Sequence, residues 1–77
     1  MKILLMRHGE AVDADGAMTD GERWLTAKGR RRSREAAAHL ATHCAPATVW
    51  TSPLVRAPQT AEIVVSACRL QGGAEVV

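Results

Sequence analysis

The stretch that decides the fold is Lys2-Ile3-Leu4-Leu5-Met6, followed directly by Arg7-His8-Gly9-Glu10. A short apolar run without polar alternation is typical of a strand buried on both faces, as in a parallel sheet. Because the run stops after Met6, it is too short for a secretory core or a membrane span. The sequence therefore predicts a central strand that ends at Arg7 and His8, in a protein without a membrane span.

A first helix is predicted from Thr26 to about His43. Thr26 carries a hydroxyl suited to an N-cap, and Pro46 cannot continue a helix. Small and apolar residues recur at the three- and four-residue spacing of one helix face. They are Leu25, Gly29, Ser33, Ala36, Ala37, Leu40, Ala41 and Cys44. We therefore interpret Thr26 as a cap and Gly29 as a close-packing position.

The rest of the chain alternates between strand and helix patterns. Residues 48–51 (TVWT) are β-rich. A second helix is predicted to open at Ser52-Pro53 and to reach about Leu70, with Pro58 in its first turn. Residues 74–77 resemble the start of a third strand. The order β-loop-α-β-α-β predicts an α/β fold with a mainly parallel sheet and helical crossovers.

Composition limits the size and the class of the protein. Seventy-seven residues form at most one small domain, near the lower limit for burying a core. With 47% hydrophobic and 23% charged residues, a disordered chain is not expected. The net charge of +2 is too small to indicate nucleic-acid binding. Cys44 and Cys68 form no disulfide framework, which favours a reducing cytoplasm.

Two of the predicted strands carry basic residues to one edge of the sheet. Ligands of open parallel sheets bind beyond the carboxyl ends of the strands, where Arg7, His8 and Arg56 are expected to meet. Guanidinium groups pair with phosphate oxygens, and a neutral imidazole is a competent nucleophile toward phosphorus. The neighbouring positive charges disfavour the imidazolium form of His8. Gly9 has no side chain to obstruct the ring or the phosphate. These residues predict a site for phosphoryl transfer.

Three segments carry a family resemblance. Residues 5–11 read LMRHGEA, residues 20–29 read DGERWLTAKG and residues 52–61 read SPLVRAPQTA. In this order and spacing they resemble the signature segments of the histidine phosphatase superfamily, also called phosphoglycerate-mutase-like. The RHGEA and D-x-x-R-x-L-T patterns are most similar to the SixA-type phosphohistidine phosphatases, which act on phosphorelay proteins.

The resemblance implies both a fold and a mechanism. The fold would be a three-layer α/β sandwich, with residues 1–77 forming the N-terminal β-α-β-α-β portion of a single domain. His8 would accept the phosphoryl group as a transient phosphohistidine that water hydrolyses. Arg7 and Arg56 would bind the phosphate, and Arg23 would lie at the rim of the pocket. No metal or organic cofactor is expected, because arginines stabilise the charge.

The chain also departs from the family pattern. The family places a second active-site histidine, and in many members a carboxylate proton donor, in its C-terminal half. Because neither is present, we expect a truncated chain with little or no activity. Two alternatives to a phosphohistidine phosphatase stay open. One is a phosphomonoesterase or mutase of the same superfamily acting on a small phosphate ester, and the other is a non-catalytic module that binds phosphate without turnover.

The remaining polar clusters have simpler interpretations. His39 and His43 have metal-ligand spacing, but a zinc site needs further ligands, so they are assigned to the helix surface. Asp13, Asp15 and Asp20 are interpreted as loop carboxylates. Arg23 has the alternative of pairing with Asp20 or Glu22 on the surface. A basic run is assigned to a solvated helix face, or alternatively to a patch for an acidic phosphorelay partner. It consists of Lys28, Arg30, Arg31, Arg32 and Arg34.

Overall fold

The architecture is a small α/β unit, seen in a computed structural model that describes residues 3–14 and 16–77. Its elements in chain order are a 3-10 helix (Asp20–Glu22), helix α1 (Ala27–His43), strand β1 (Trp50–Thr51), helix α2 (Arg56–Ala67) and strand β2 (Glu75–Val76). The two strands pair in parallel, with Trp50 opposite Glu75 and Thr51 opposite Val76. A parallel pair joined through a helix confirms the predicted α/β class.

Helix α1 begins and ends where the sequence indicates. The Thr26 hydroxyl accepts a hydrogen bond from the amide of Gly29 at 2.9 Å, which confirms the N-cap. Beyond the last turn Ala45 takes a left-handed conformation (φ 43°), and Pro46 follows. The buried face is narrower than predicted. It consists of Gly29, Ser33 and Ala37, whereas Ala36 and Cys44 are exposed.

Helix α2 is shorter than predicted at both ends. It begins at Arg56 rather than directly after Pro53, and it ends at Ala67 rather than near Leu70. Pro58 is its third residue, where the missing amide hydrogen costs no helical bond. The buried side chains Ala61, Val64 and Val65 face α1 and form the core together with Leu25 and Ala37. None of the helices that the structure describes is long and apolar enough to cross a membrane.

The first predicted strand is not formed. Lys2 lies outside the described residues, and residues 3–6 belong to no strand. The side chains of Ile3, Leu4 and Leu5 are 76%, 55% and 92% exposed, so the prediction of burial on both faces is wrong here. The physical reason is that an apolar run makes a strand only when a neighbouring strand pairs with its amides, and no other described segment does so.

The segment after His8 is held against α1 by close backbone contacts. The amide of Thr26 donates to the carbonyl of Glu10 at 2.9 Å, and the amide of Val12 donates to the carbonyl of Trp24 at 2.8 Å. A Cβ on Gly29 would overlap the backbone of Glu10, which confirms Gly29 as a close-packing position. Helix α1 therefore fixes the backbone on which His8 is mounted.

Candidate active site

His8 has one ring nitrogen bound to the backbone and the other directed at an arginine. Its Nδ1 lies 2.7 Å from the carbonyl oxygen of Gly9. Since a carbonyl oxygen only accepts hydrogen bonds, Nδ1 carries the proton in this contact. The Nε2 atom lies 3.1 Å from Nε of Arg56, which only donates. Nε2 is therefore an unprotonated acceptor, and the ring is neutral with its lone pair on Nε2.

Arg56 is the anchor of the site. It is the first residue of α2 and only 8% exposed. Besides Nε to His8, its Nη1 donates to the carbonyl oxygen of Asp20 at 2.8 Å and its Nη2 to the Asp20 carboxylate at 3.1 Å. Three hydrogen bonds from one guanidinium fix its plane and its position beside the imidazole. The helix start at Arg56 thus places a rigid cation next to a neutral nitrogen base.

Asp20 lies between two arginines. One carboxylate oxygen is 3.0 Å from Nη1 of Arg23 and the other is 3.1 Å from Nη2 of Arg56. The hydrogen bond from Arg23, followed by the hydrogen bond and the charge of Arg56, holds the pKa of Asp20 below its ordinary value. Its side chain is nonetheless 66% exposed. Asp20 is therefore a solvent-accessible carboxylate held by its charge partners rather than by burial.

Arg23 belongs to the same network. Its Nε donates to the carbonyl oxygen of Val12 at 2.6 Å, and its Nη1 reaches Asp20. The pairing with Asp20 that the sequence offered as an alternative is present. Because the Asp20 carboxylate also binds Arg56, Arg23 and Arg56 share this carboxylate. Its role at the rim of a phosphate pocket stays a prediction.

Arg7 and Gly9 occupy different surroundings from those expected. Arg7 is exposed and makes no hydrogen bond or ion pair with any residue in the described ranges. The structure therefore brings together His8 and Arg56, and Arg7 remains a predicted ligand. The space beside Gly9 is filled by α1 rather than left for a phosphate, since a Cβ there would lie 2.5 Å from Oγ of Ser33.

The polar clusters on α1 are separate from this site. The rings of His39 and His43 stack with centroids 4.0 Å apart, and Nδ1 of His43 bonds to the carbonyl of His39. Within residues 3–14 and 16–77, no three His, Cys, Asp or Glu side chains are grouped to hold a metal. In the basic run, Lys28 lies 3.9 Å from Glu10, and Arg30 is half-buried while the other arginines are exposed. Asp15 lies outside the described residues.

Three site residues were missed by sequence reasoning. Asp20 was interpreted as a loop carboxylate, with pairing to Arg23 as an alternative, and its contact with Arg56 was not predicted. Thr60 is 5% exposed, and its Oγ1 accepts from the amide of Gly9 at 3.0 Å. Gln59 accepts from the amide of Leu25 at 2.8 Å. Thr60 and Gln59 lie inside the quoted segment SPLVRAPQTA, which was their only signal.

The arrangement combines an unprotonated imidazole nitrogen with a fixed guanidinium and a second arginine close by. Such a set suits nucleophilic attack on an anionic centre, because the nitrogen supplies the lone pair and the guanidinium stabilises negative charge. The chemistry available to the described residues is therefore transfer of a group with anionic oxygens.

Comparisons with solved structures find similar folds. A structure of the protein histidine phosphatase SixA complexed with tungstate matches with a TM-score of 0.79 and 40% identity, covering 94% of this chain and 46% of that one. A candidate phosphohistidine phosphatase SixA from Agrobacterium tumefaciens matches with a TM-score of 0.77 and 25% identity, again covering 94% and 46%.

Comparisons of sequence point the same way. An uncharacterized protein from Picosynechococcus sp. strain PCC 7002 is 41% identical over 70 residues, which are 87% of this chain and 41% of that protein. The chain thus spans less than half the length of these relatives. The family model described as histidine phosphatase superfamily (branch 1) matches residues 3–74. With nearly its whole length matched, the chain belongs to the histidine phosphatase superfamily.

Proposed function

We propose that His8 is the nucleophile of a phosphatase that removes the phosphoryl group from phosphohistidine on a phosphorelay protein. The observation that carries the proposal is the pair of contacts on the His8 ring. Nδ1 is held by the Gly9 carbonyl at 2.7 Å, and Nε2 faces Arg56 at 3.1 Å. These contacts support Nε2 as the nucleophilic nitrogen and Arg56 as its nearest cation.

The chemistry would proceed in two displacements. First, the Nε–H of Arg56 passes from Nε2 to an incoming phosphoryl oxygen, which frees the Nε2 lone pair to attack phosphorus, and the bond from phosphorus to the substrate nitrogen breaks. The electron pair leaves with the substrate imidazole, which takes a proton from solvent. The phosphorylated His8 ring is positively charged, and its Nδ1–H remains bonded to the Gly9 carbonyl. Water then attacks phosphorus and gives up a proton to solvent, the electron pair returns to Nε2, and inorganic phosphate is released.

Arg56 would act on the phosphoryl oxygens. A buried guanidinium whose Nη1 is held by the carbonyl oxygen of Asp20 is positioned beside the ring before the reaction, so it can stabilise developing negative charge once Nε and Nη2 bind phosphoryl oxygens. Arg7 immediately precedes the nucleophile in the sequence. We propose it as a second phosphate ligand that approaches from the solvent side. No step requires a metal or organic cofactor.

The likeness to SixA structures, one of them described as a protein histidine phosphatase, supports a substrate carried on another protein. A small phosphate ester, as used by phosphomonoesterases and mutases of the superfamily, is the alternative substrate class.

The test is incubation with a phosphorylated phosphorelay domain. We expect release of inorganic phosphate and a covalent adduct of one phosphoryl group on His8, found by intact mass measurement after rapid quenching at alkaline pH. We expect slow turnover by the 77-residue chain. His8→Ala should abolish both signals, while His39→Ala, on the exposed face of α1, should leave them unchanged.

The same experiment separates the alternatives. Faster release from a small phosphate ester than from the phosphorelay domain would assign the substrate to the ester class. Binding of inorganic phosphate without adduct or turnover would identify a binding module. An adduct that persists in His8→Ala would reject His8 as the nucleophile.

A further inference from the structure

The guanidinium of Arg56 is fully engaged on the edge that a phosphate would use. Nε and Nη2 form one edge of the group, and a tetrahedral anion bound in a bidentate manner takes two oxygens against such an edge. In this structure Nε donates to His8 and Nη2 donates to the Asp20 carboxylate, both at 3.1 Å. A carboxylate oxygen of Asp20 therefore occupies one of the two positions that phosphate oxygens would take.

The second oxygen of Asp20 engages the other arginine of the site. It lies 3.0 Å from Nη1 of Arg23, so a single carboxylate bridges both cations. Two oxygens of one anion spanning two guanidinium groups imitate the way an oxyanion bridges them. Asp20 thus neutralises part of the positive charge of the two arginines.

The side chain of Asp20 can leave without disturbing the core. It is 66% exposed, and it projects from the short 3-10 helix Asp20–Glu22, which has no buried residue. The carbonyl oxygen of Asp20, in contrast, accepts from Nη1 of Arg56 at 2.8 Å and does not depend on the side-chain conformation. Rotation of the carboxylate would therefore open Nη2 while the backbone bond keeps Arg56 in place.

From these contacts we infer that Asp20 is an internal competitor of the phosphoryl group: its carboxylate binds the same donors of Arg56 and Arg23 that an oxyanion would use, and it is displaced when an oxyanion binds. The inference rests on the proposed function, since it takes Arg56 as a phosphate ligand. If Asp20 competes with the anion, removing its charge strengthens anion binding. If Asp20 only oriented the arginines, removing its charge would weaken anion binding.

The test compares tungstate and inorganic phosphate binding to the wild-type chain and to Asp20→Asn by isothermal titration at neutral pH. Asparagine keeps the shape and the backbone carbonyl but not the charge. We expect the variant to bind both anions about three- to fivefold more tightly, the size of an exposed charge interaction. Glu22→Gln in the same 3-10 helix makes the same change of net charge and should alter binding by less than twofold.

The possible results are separable. Weaker or unchanged binding in Asp20→Asn, with wild-type binding intact, would overturn the competition and leave the phosphate site in place. Absence of tungstate binding in both chains would overturn the phosphate site and the competition together. If Glu22→Gln strengthened anion binding as much as Asp20→Asn does, the effect would be due to net charge alone, and the inference would also be rejected.

A second measurement does not depend on affinity. In a carbon-13-labelled chain, the Asp20 carboxyl signal should move toward that of a solvated aspartate when phosphate saturates the site, because the carboxylate leaves both arginines. The Glu22 carboxyl signal should stay in place. A stationary Asp20 signal at saturation would show that the carboxylate remains bound to the arginines, and the competition would be rejected.

Discussion

Thr60 joins the nucleophile segment to helix α2 through a single hydroxyl. Its Oγ1 accepts from the amide of Gly9 at 3.0 Å and donates to the carbonyl of Arg56 at 2.9 Å. Gly9 in turn holds Nδ1 of His8 through its own carbonyl. The two residues that meet in the site, His8 and Arg56, are therefore also connected through the backbone by way of Thr60.

Thr60→Val should lower the free energy of unfolding by about 1–3 kcal/mol, because it leaves the Gly9 amide without its acceptor in a part-buried position. Urea denaturation measures the change. Thr42→Val is the matched control, since the Thr42 hydroxyl donates only to the carbonyl of Ala38 on an exposed turn of α1. An equal loss in both variants would mean that the hydroxyl bond to the carbonyl four residues earlier, which both variants lose, and not the Gly9 bond, determines the effect.

Arg56→Lys should weaken tungstate binding by about tenfold to a hundredfold. Lysine retains the charge but cannot present the paired donors Nε and Nη2 of one planar group to two oxygens of the anion, and each charge-assisted hydrogen bond is worth about that much. Isothermal titration measures the affinity. Arg34→Lys on the exposed face of α1 should have no effect. Retention of wild-type affinity by Arg56→Lys would show that point charge suffices.

Gly9→Ala should destabilise the protein by about 1–3 kcal/mol through overpacking against α1. The new Cβ would lie 2.5 Å from Oγ of Ser33 and 2.9 Å from the carbonyl oxygen of Gly29. Removing Oγ in Gly9→Ala/Ser33→Ala should recover part of the loss, which a double-mutant cycle measures. Strict additivity of the two single changes would show that Ser33 is not the obstacle.

Local sequence signals predicted the limits of helix α1, whereas they did not predict contacts between residues far apart in the sequence. The hydroxyl of Thr26, the glycine three residues later and Pro46 set the limits of α1 through bonds within a few residues. The first strand failed as a prediction because pairing is made with distant residues, and residues 3–6 have no partner in the part of the chain that the structure describes.

The candidate site likewise combines a contact that the sequence predicted with positions that it did not predict. The rule that strand ends share an edge predicted that His8 and Arg56 would meet, and the structure places them 3.1 Å apart although no strand precedes His8 among the described residues. The position of Asp20 between Arg23 and Arg56 depends on how the loop folds back over α2, for which the sequence carries only the three-residue spacing to Arg23. The side chain of Arg7 shows the limit of the rule, because it points to solvent.

The bridge formed by Asp20 should make stability depend on pH in the acid range. Since hydrogen bonds from Arg23 and Arg56 lower its pKa in the folded protein below the ordinary value of 3.8, the folded state binds fewer protons there than the unfolded state. The contribution of the Asp20 bridge to stability is fully present above pH 3.8 and is lost as the pH falls through the lowered pKa.

The difference in unfolding free energy between wild type and Asp20→Asn, measured by urea denaturation, should therefore shrink as the pH is lowered from 6 to 3. Glu22→Gln, which removes a carboxylate without an ion pair among the described residues, should not show this trend. A difference for Asp20→Asn that stays constant across the range would mean that Asp20 is not held as a carboxylate by the two arginines.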